Sequence, residues 1–280
     1  MDMTHNKCCR HGANLRRRRR RRRKILRSII FSYSIIAVAV FVAVGSSMIR
    51  SGDGRKNRYD VEAGNNTYDN AVIENSKISE KNKIQNNQSM LDDIMNSTQY
   101  PKQLKDLALK NEEALEFVYD YPAEHVKEHT IDLTEEVSMD SVPLFVQWDK
   151  RWGYEKYSGN FFAASGCGPT TLSMVVVYLT HDREASPIAV AKYSKEAGYS
   201  VDGSGSSLAL ISEGCRHYGV KAKAVALDES RMKAELDEGH PIVVNVGPGD
   251  FTDTGHFMVI TGYDDEGFSI NDPNSIEKSG

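Results

Sequence analysis

The stretch SGCGPTTLSMVVVYLT, residues 165–180, decides the fold. Ser165-Gly166-Cys167-Gly168-Pro169 reads as a tight turn. Pro169 suits the first turn of a helix, where its missing N–H has no intrahelical partner to lose. Residues 170–180 then run apolar and almost continuous, as a buried helix does. Cys167 is therefore expected at or just before a helix N-terminus. Further along the chain, GHFMVITGYDDEGFSINDPNS, residues 255–275, reads as a hairpin. One strand starts at His256, Asp264-Asp265-Glu266-Gly267 makes the turn, and a second strand starts at Phe268. His256 heads the first strand and Asn271-Asp272 ends the second, so antiparallel pairing brings these ends together. Between the two motifs, residues 188–198, 206–218 and 230–238 read as helices, and 220–225 and 241–246 as strands. The body, residues 141–280, is expected to be an α+β domain.

The chemistry follows from these placements. The positive end of a helix dipole favours negative charge on a sulfur placed there, and the thiolate is the nucleophilic form of cysteine. Flanking glycines leave the backbone around Cys167 open, which argues against a merely buried structural thiol. Cys215, in EGCRHYGV, falls on a helix face and reads as core. Asp272 is placed to accept the imidazole N–H of His256 and fix its tautomer, the third role of a nucleophile–base–acid set. Asn271 competes for that role. Side chains alternate along a strand, so only one of the two can face the ring. Gln147, upstream of the cysteine, offers an amide for a developing oxyanion, with the Cys167 N–H as second donor. On residues alone, an ordinary surface glutamine is an equal reading. No metal or organic cofactor is required. The cysteines have no CxxC spacing, and there is no P-loop and no dinucleotide fingerprint.

The N-terminal half carries a different signal. Residues 1–50 hold thirteen Lys or Arg and one acidic residue, a net charge of +12, which leaves −16 for residues 51–280. An acidic body offers no general surface for nucleic acid. Residues 1–28, with eight consecutive arginines at 16–23, form a basic head. Residues 29–49 are uncharged and mostly apolar, and about 20 such residues span a bilayer core as a helix. The positive-inside rule then puts the head in the cytoplasm and the body outside a cell membrane, as a single-pass anchor. A cleaved signal peptide is the rival reading, with a shorter apolar run expected of it. Residues 50–90 are polar and poor in large apolar side chains, and are expected to form a flexible stalk. Residues 91–140 mix leucines with charges around Pro101 and Pro122 and read as a helical lead-in that packs on the body. The sequence sets no oligomeric state.

Taken together, PLFVQWDKRWG with Gln147, SGCGPTTLSMV with Cys167, GHFMVITGY with His256 and NDPNS with Asp272 resemble the papain-like cysteine peptidases related to the bacteriocin-processing, double-glycine leader peptidases (family thirty-nine of the cysteine peptidases). The resemblance covers about residues 142–274, roughly half of the chain. It implies a papain-like fold with a helical cysteine side and an antiparallel sheet on the histidine side. It implies Cys167 as nucleophile, His256 as base, Asp272 as orienting acid and Gln147 as oxyanion donor, acting on a peptide or protein substrate. The lead-in also resembles the segment that precedes this domain in anchored, single-span relatives. The leader peptidases proper are fused to a multi-span exporter with an ATP-binding domain. This chain has one apolar span and no such motif, so their substrate does not carry over. Two further readings keep part of the pattern: an amidase or transpeptidase of peptidoglycan with the same triad, and a non-catalytic surface module that binds peptides. The sequence stops at Gly280, soon after NDPNS, and a final strand beyond it is an open expectation.

Overall fold

A computed structural model describes the backbone of residues 66–280 and the side chains of residues 80–280. The basic head and the apolar run at 29–49 lie outside the described residues. Among the described residues no helix is long and apolar enough to cross a membrane.

Six helices organise this part of the chain: α1 (Asn66–Asn96), α2 (Lys102–Lys110), α3 (Leu115–Tyr119), α4 (Cys167–Thr180), α5 (Pro187–Glu196) and α6 (Glu229–Asp237). Shorter helical turns lie between them. One antiparallel sheet has the order β1 (Ile242–Val246), β2 (His256–Asp264), β3 (Gly267–Asn271). Two small ribbons, Lys156–Tyr157 with Asn160–Phe161 and Ser200–Val201 with Gly205–Ser206, flank the cysteine segment. The α+β expectation for the body holds.

Helix α4 is the spine. Every residue from Gly168 to Val177 is buried, which is why its sequence shows almost no polar face. It ends at His181 in the left-handed region (φ 56°), whose N–H returns to Val177 O. The core around it joins Leu172, Met174 and Val176 to Phe145, Trp152, Val190, Leu210 and Val259 of the sheet. A second apolar cluster, with Met232, Met258, Ile260 and Ile270, joins α6 to the sheet. Strand β2 is thus covered on both faces, Val259 toward one cluster and Met258 and Ile260 toward the other, as period-two alternation requires.

Three expectations are corrected. The stalk is not irregular from residue 66 on, because α1 runs to Asn96 and takes in most of residues 50–90. Its composition cannot build a core, but a helix satisfies its own backbone and needs only one docked end. Met90, Leu91 and Ile94 supply that end, packing with Leu104, Leu107 and Val118 of the lead-in. Lys105 Nζ donates to Met95 O (2.9 Å) and Ser97 O (2.7 Å), satisfying carbonyls at the helix C-terminus. The strand expected at 220–225 is absent, since residues 221–224 (Lys-Ala-Lys-Ala) are exposed and present no apolar face to cover. The helix expected over 206–218 is split into Ala209–Ser212 and a 3-10 segment, Gly214–Tyr218.

The lead-in does pack on the body. Leu104, Phe117 and Val118 share a cluster with Phe161 and Ala163, just upstream of Cys167. Phe117 stacks on Tyr154 at 4.2 Å between ring centroids, and Tyr154 Oη donates to Phe117 O (2.8 Å).

Candidate active site

Cys167 is the first residue of α4, as expected from the turn that precedes it. The N-cap is Gly166, and no side chain caps the helix. No side chain therefore takes its first N–H groups, and a helix N-terminus attracts negative charge. The two glycines act through close approach rather than through openness. A Cβ on Gly166 would meet the Phe162 ring at 2.5 Å, and a Cβ on Gly168 would meet Ser206 Oγ at 2.6 Å. Phe162 and Ser206 thus press against the turn and hold the Cys167 backbone. Cys167 is partly exposed, whereas Cys215 is buried, as its core reading expects.

The β2–β3 hairpin brings the other residues in. Asp264 Oδ1 accepts from the N–H groups of Glu266 (2.8 Å) and Gly267 (3.1 Å) and fixes the turn. Register then pairs Val259 with Asn271 and places Asp272 just past the last strand residue. His256 Nε2 and Asp272 Oδ1 are 2.7 Å apart, and both side chains are buried. Asn271 points the other way, and its amide donates to Val142 O (3.0 Å) and Pro143 O (3.1 Å). The alternation argument therefore separates the two residues, and the acid, not the amide, faces the ring.

The remaining ring nitrogen of His256, Nδ1, is free for Cys167. Burial opposes charge on this imidazole, yet its pKa is pushed up from 6.5 to about 9. Hydrogen bonds to Asp272 and to Cys167, with the charge of each, outweigh the desolvation. An imidazolium between a carboxylate and a cysteine sulfur is what the geometry favours at neutral pH.

Gln147 is 5% exposed, which removes the surface-glutamine reading. Its Nε2 donates to Ala163 O (2.7 Å) and, more weakly, to Asn274 Oδ1 (3.3 Å). Its Oε1 is buried without a partner. Turning the amide over would set Oε1 against the Ala163 carbonyl, so the nitrogen is correctly placed by its partners. Both amide hydrogens are engaged here, and donation to an oxyanion would replace the longer bond. Sequence reasoning missed Asn274. Its backbone N–H donates to Asp272 Oδ1 (2.8 Å), while its side chain receives the Gln147 amide. NDPNS contained this residue, but only the folded loop shows that it touches both partners.

Among the described residues, Glu235, Glu238 and His240 bring metal-ligating atoms within 4.8 Å of one another at the surface. Glu235 is already bound by Lys223 (2.7 Å) and His240 (3.0 Å), which hold its carboxyl below the usual range. These contacts account for the cluster without an ion.

A buried histidine–aspartate pair beside a cysteine at a helix N-terminus, with a helical side and a sheet side, defines a cysteine-peptidase-like α+β domain. The model of the Peptidase C39-like family matches residues 139–280, just over half of the chain, and the chain belongs to that family. No curated protein and no solved structure matches it.

Proposed function

We propose that this protein is a cysteine peptidase that hydrolyses peptide bonds, with Cys167 as nucleophile, His256 as general base and acid, and Asp272 as the acid that orients the imidazole. The observation that carries the reading is the buried 2.7 Å His256–Asp272 contact, with Cys167 as the second polar partner of the same ring. The Cys167 sulfur attacks the carbonyl carbon of the scissile bond, and negative charge develops on the carbonyl oxygen. The backbone N–H of Cys167 and the Gln147 amide donate to that oxygen. His256, held protonated, delivers its proton to the leaving amine as the C–N bond breaks. Water then loses a proton to His256 and releases the acyl group from sulfur, restoring the thiol chemistry.

The apolar run at 29–49 behind an arginine-rich head supports an anchored enzyme whose peptidase domain lies outside the cell membrane. The substrate is then a peptide or protein reached on that side.

Iodoacetamide labelling of the full chain in detergent, with the alkylated cysteine mapped by mass spectrometry, tests the site. Cys167 is expected to label rapidly well below pH 8, with Cys215 silent and with His256→Ala slowing the reaction. Labelling of Cys167 at the rate of an ordinary thiol, unaffected by His256→Ala in folded protein, refutes the triad.

A further inference from the structure

The acid of the triad sits at the head of a loop, residues 272–280, and that loop is held from outside the domain that the family model covers. Asn111, between α2 and the 3-10 turn Glu112–Ala114, donates its amide to Asn274 O (2.9 Å) and Asn274 Oδ1 (3.1 Å). Its Oδ1 accepts the Glu113 N–H (3.0 Å), which fixes the side chain. The Glu113 carboxylate then takes three donors from the same loop: Ser275 Oγ, Ile276 N (2.8 Å) and Glu277 N (3.0 Å). Trp148 Nε1 adds a bond to Asn274 O (3.3 Å).

Asn274 joins these contacts to the chemistry. Its N–H donates to the same Asp272 oxygen that faces His256, and its side-chain oxygen receives the Gln147 amide. The Gln147 backbone N–H also donates to Pro273 O (2.7 Å). An unbroken set of hydrogen bonds therefore runs from the lead-in through Asn274 to the orienting acid and the oxyanion donor. The remaining backbone ties on Asp272, its N–H to Ser279 Oγ (2.9 Å) and its carbonyl from Ser275 N–H (3.1 Å), come from the same loop and do not anchor it elsewhere.

Resting on the peptidase reading, we propose that Asn111 and Glu113 are positioning residues, and that the helical lead-in is a built-in brace that holds the Asp272–Asn274 loop, and through it His256, in working register. Charge-assisted bonds to a carboxylate are the stronger kind, and misplacing a catalytic group by about 1 Å costs up to roughly a hundredfold in rate. The lead-in is then the point at which movement between the N-terminal segments and the domain would reach the active site.

The test uses the full chain in detergent, iodoacetamide as probe at Cys167, and the titration midpoint of His256 by NMR. Glu113→Ala and Asn111→Asp are expected to slow His256-dependent labelling about tenfold and to shift the His256 midpoint. Asn111→Asp keeps the oxygen that accepts from Glu113 N–H and replaces the donor to Asn274 with an oxygen that repels it, so it reports even where Glu113→Ala fails to fold. Glu113→Gln keeps an acceptor for the two backbone N–H groups and is expected to recover most of the rate. Val190→Ala opens a cavity in the body core, on neither the lead-in nor the loop, and is expected to leave both readouts at wild-type values. If Asn111→Asp and Glu113→Ala behave as wild type, or Val190→Ala moves the readouts as far as they do, the brace is overturned while the triad stands. If wild-type Cys167 shows no His256-dependent labelling, the peptidase reading falls and takes the brace with it.

Discussion

Asp272→Asn separates the two things Asp272 does, orienting the imidazole and charging it. The amide oxygen of an asparagine at 272 still accepts from His256 Nε2 and from the Asn274 N–H, so geometry is retained. Asp272 Oδ2 has no partner, so its replacement by an amide nitrogen exchanges one buried unpaired atom for another. What is lost is the negative charge. His256 is held at about 9 against an unperturbed 6.5. At about 1.4 kcal/mol per pH unit, that difference is about 3 kcal/mol of preference for the imidazolium. An adjacent opposite charge accounts for about 1–3 pH units. The His256 midpoint in Asp272→Asn is therefore expected to fall by at least about one unit. The sign of the linkage follows. A histidine raised on folding contributes stability that is fully present below about 6.5 and is lost as pH rises through about 9. Wild type should thus lose stability over that window, and Asp272→Asn should lose less of it. Turnover needs the imidazolium to protonate the leaving amine, so it should decline above about pH 9 in wild type and at lower pH in the variant. NMR titration of His256, urea unfolding at the two ends of the window and a pH–rate profile measure all three. A wild-type midpoint near 6.5, or a midpoint that Asp272→Asn leaves unchanged, would refute the reasoning.

Gln147→Ala should lower kcat about a hundredfold with little change in KM, as loss of one oxyanion donor does; an unchanged kcat removes Gln147 from that role. Gly168→Ala places a Cβ 2.6 Å from Ser206 Oγ and should destabilise the fold by about 1–3 kcal/mol in urea unfolding. Adding Ser206→Gly, which takes away the clashing atoms, should restore most of that loss, and failure to do so would show that the contact is not the cause. Cys215→Ser buries a hydroxyl in an apolar core at a cost of about 1–3 kcal/mol, yet should leave the labelling rate of Cys167 unchanged.

The cysteine helix and the histidine hairpin were legible because each is a local pattern. An apolar run behind Gly-Pro can bury itself only as a helix, and Asp264 with Gly267 dictates a turn whose two strands must pair. Alternation put Asn271 and Asp272 on opposite faces without choosing between them; the folded hairpin sends Asn271 to the carbonyls of Val142 and Pro143 and leaves the acid for His256. The failures have equally local causes. Residues 221–224 alternate, but between lysine and alanine, so between Val220 and Val225 the pattern carried no apolar face. Residues 66–89 are poor in large apolar side chains, and composition reports on cores rather than on helices that close their own hydrogen bonds and dock at one end.

The brace was illegible for a different reason. Asn111 and Asn274 lie 163 residues apart, and no periodic pattern or fixed spacing links the two. Each looks like an ordinary polar loop residue until the loop after β3 lies against the start of the 3-10 turn. The lead-in earned a structural reading from its leucines, which do pack on Phe161 and Ala163. That packing is what delivers Asn111 and Glu113 to the Asp272 loop. Burial of apolar side chains sets the position of the lead-in, and a few directional bonds at its tip then transmit that position to the acid. The apolar half of such a device is visible in a sequence, because it needs many residues of one kind. The polar half needs only two side chains in the right place, and a single sequence does not mark them.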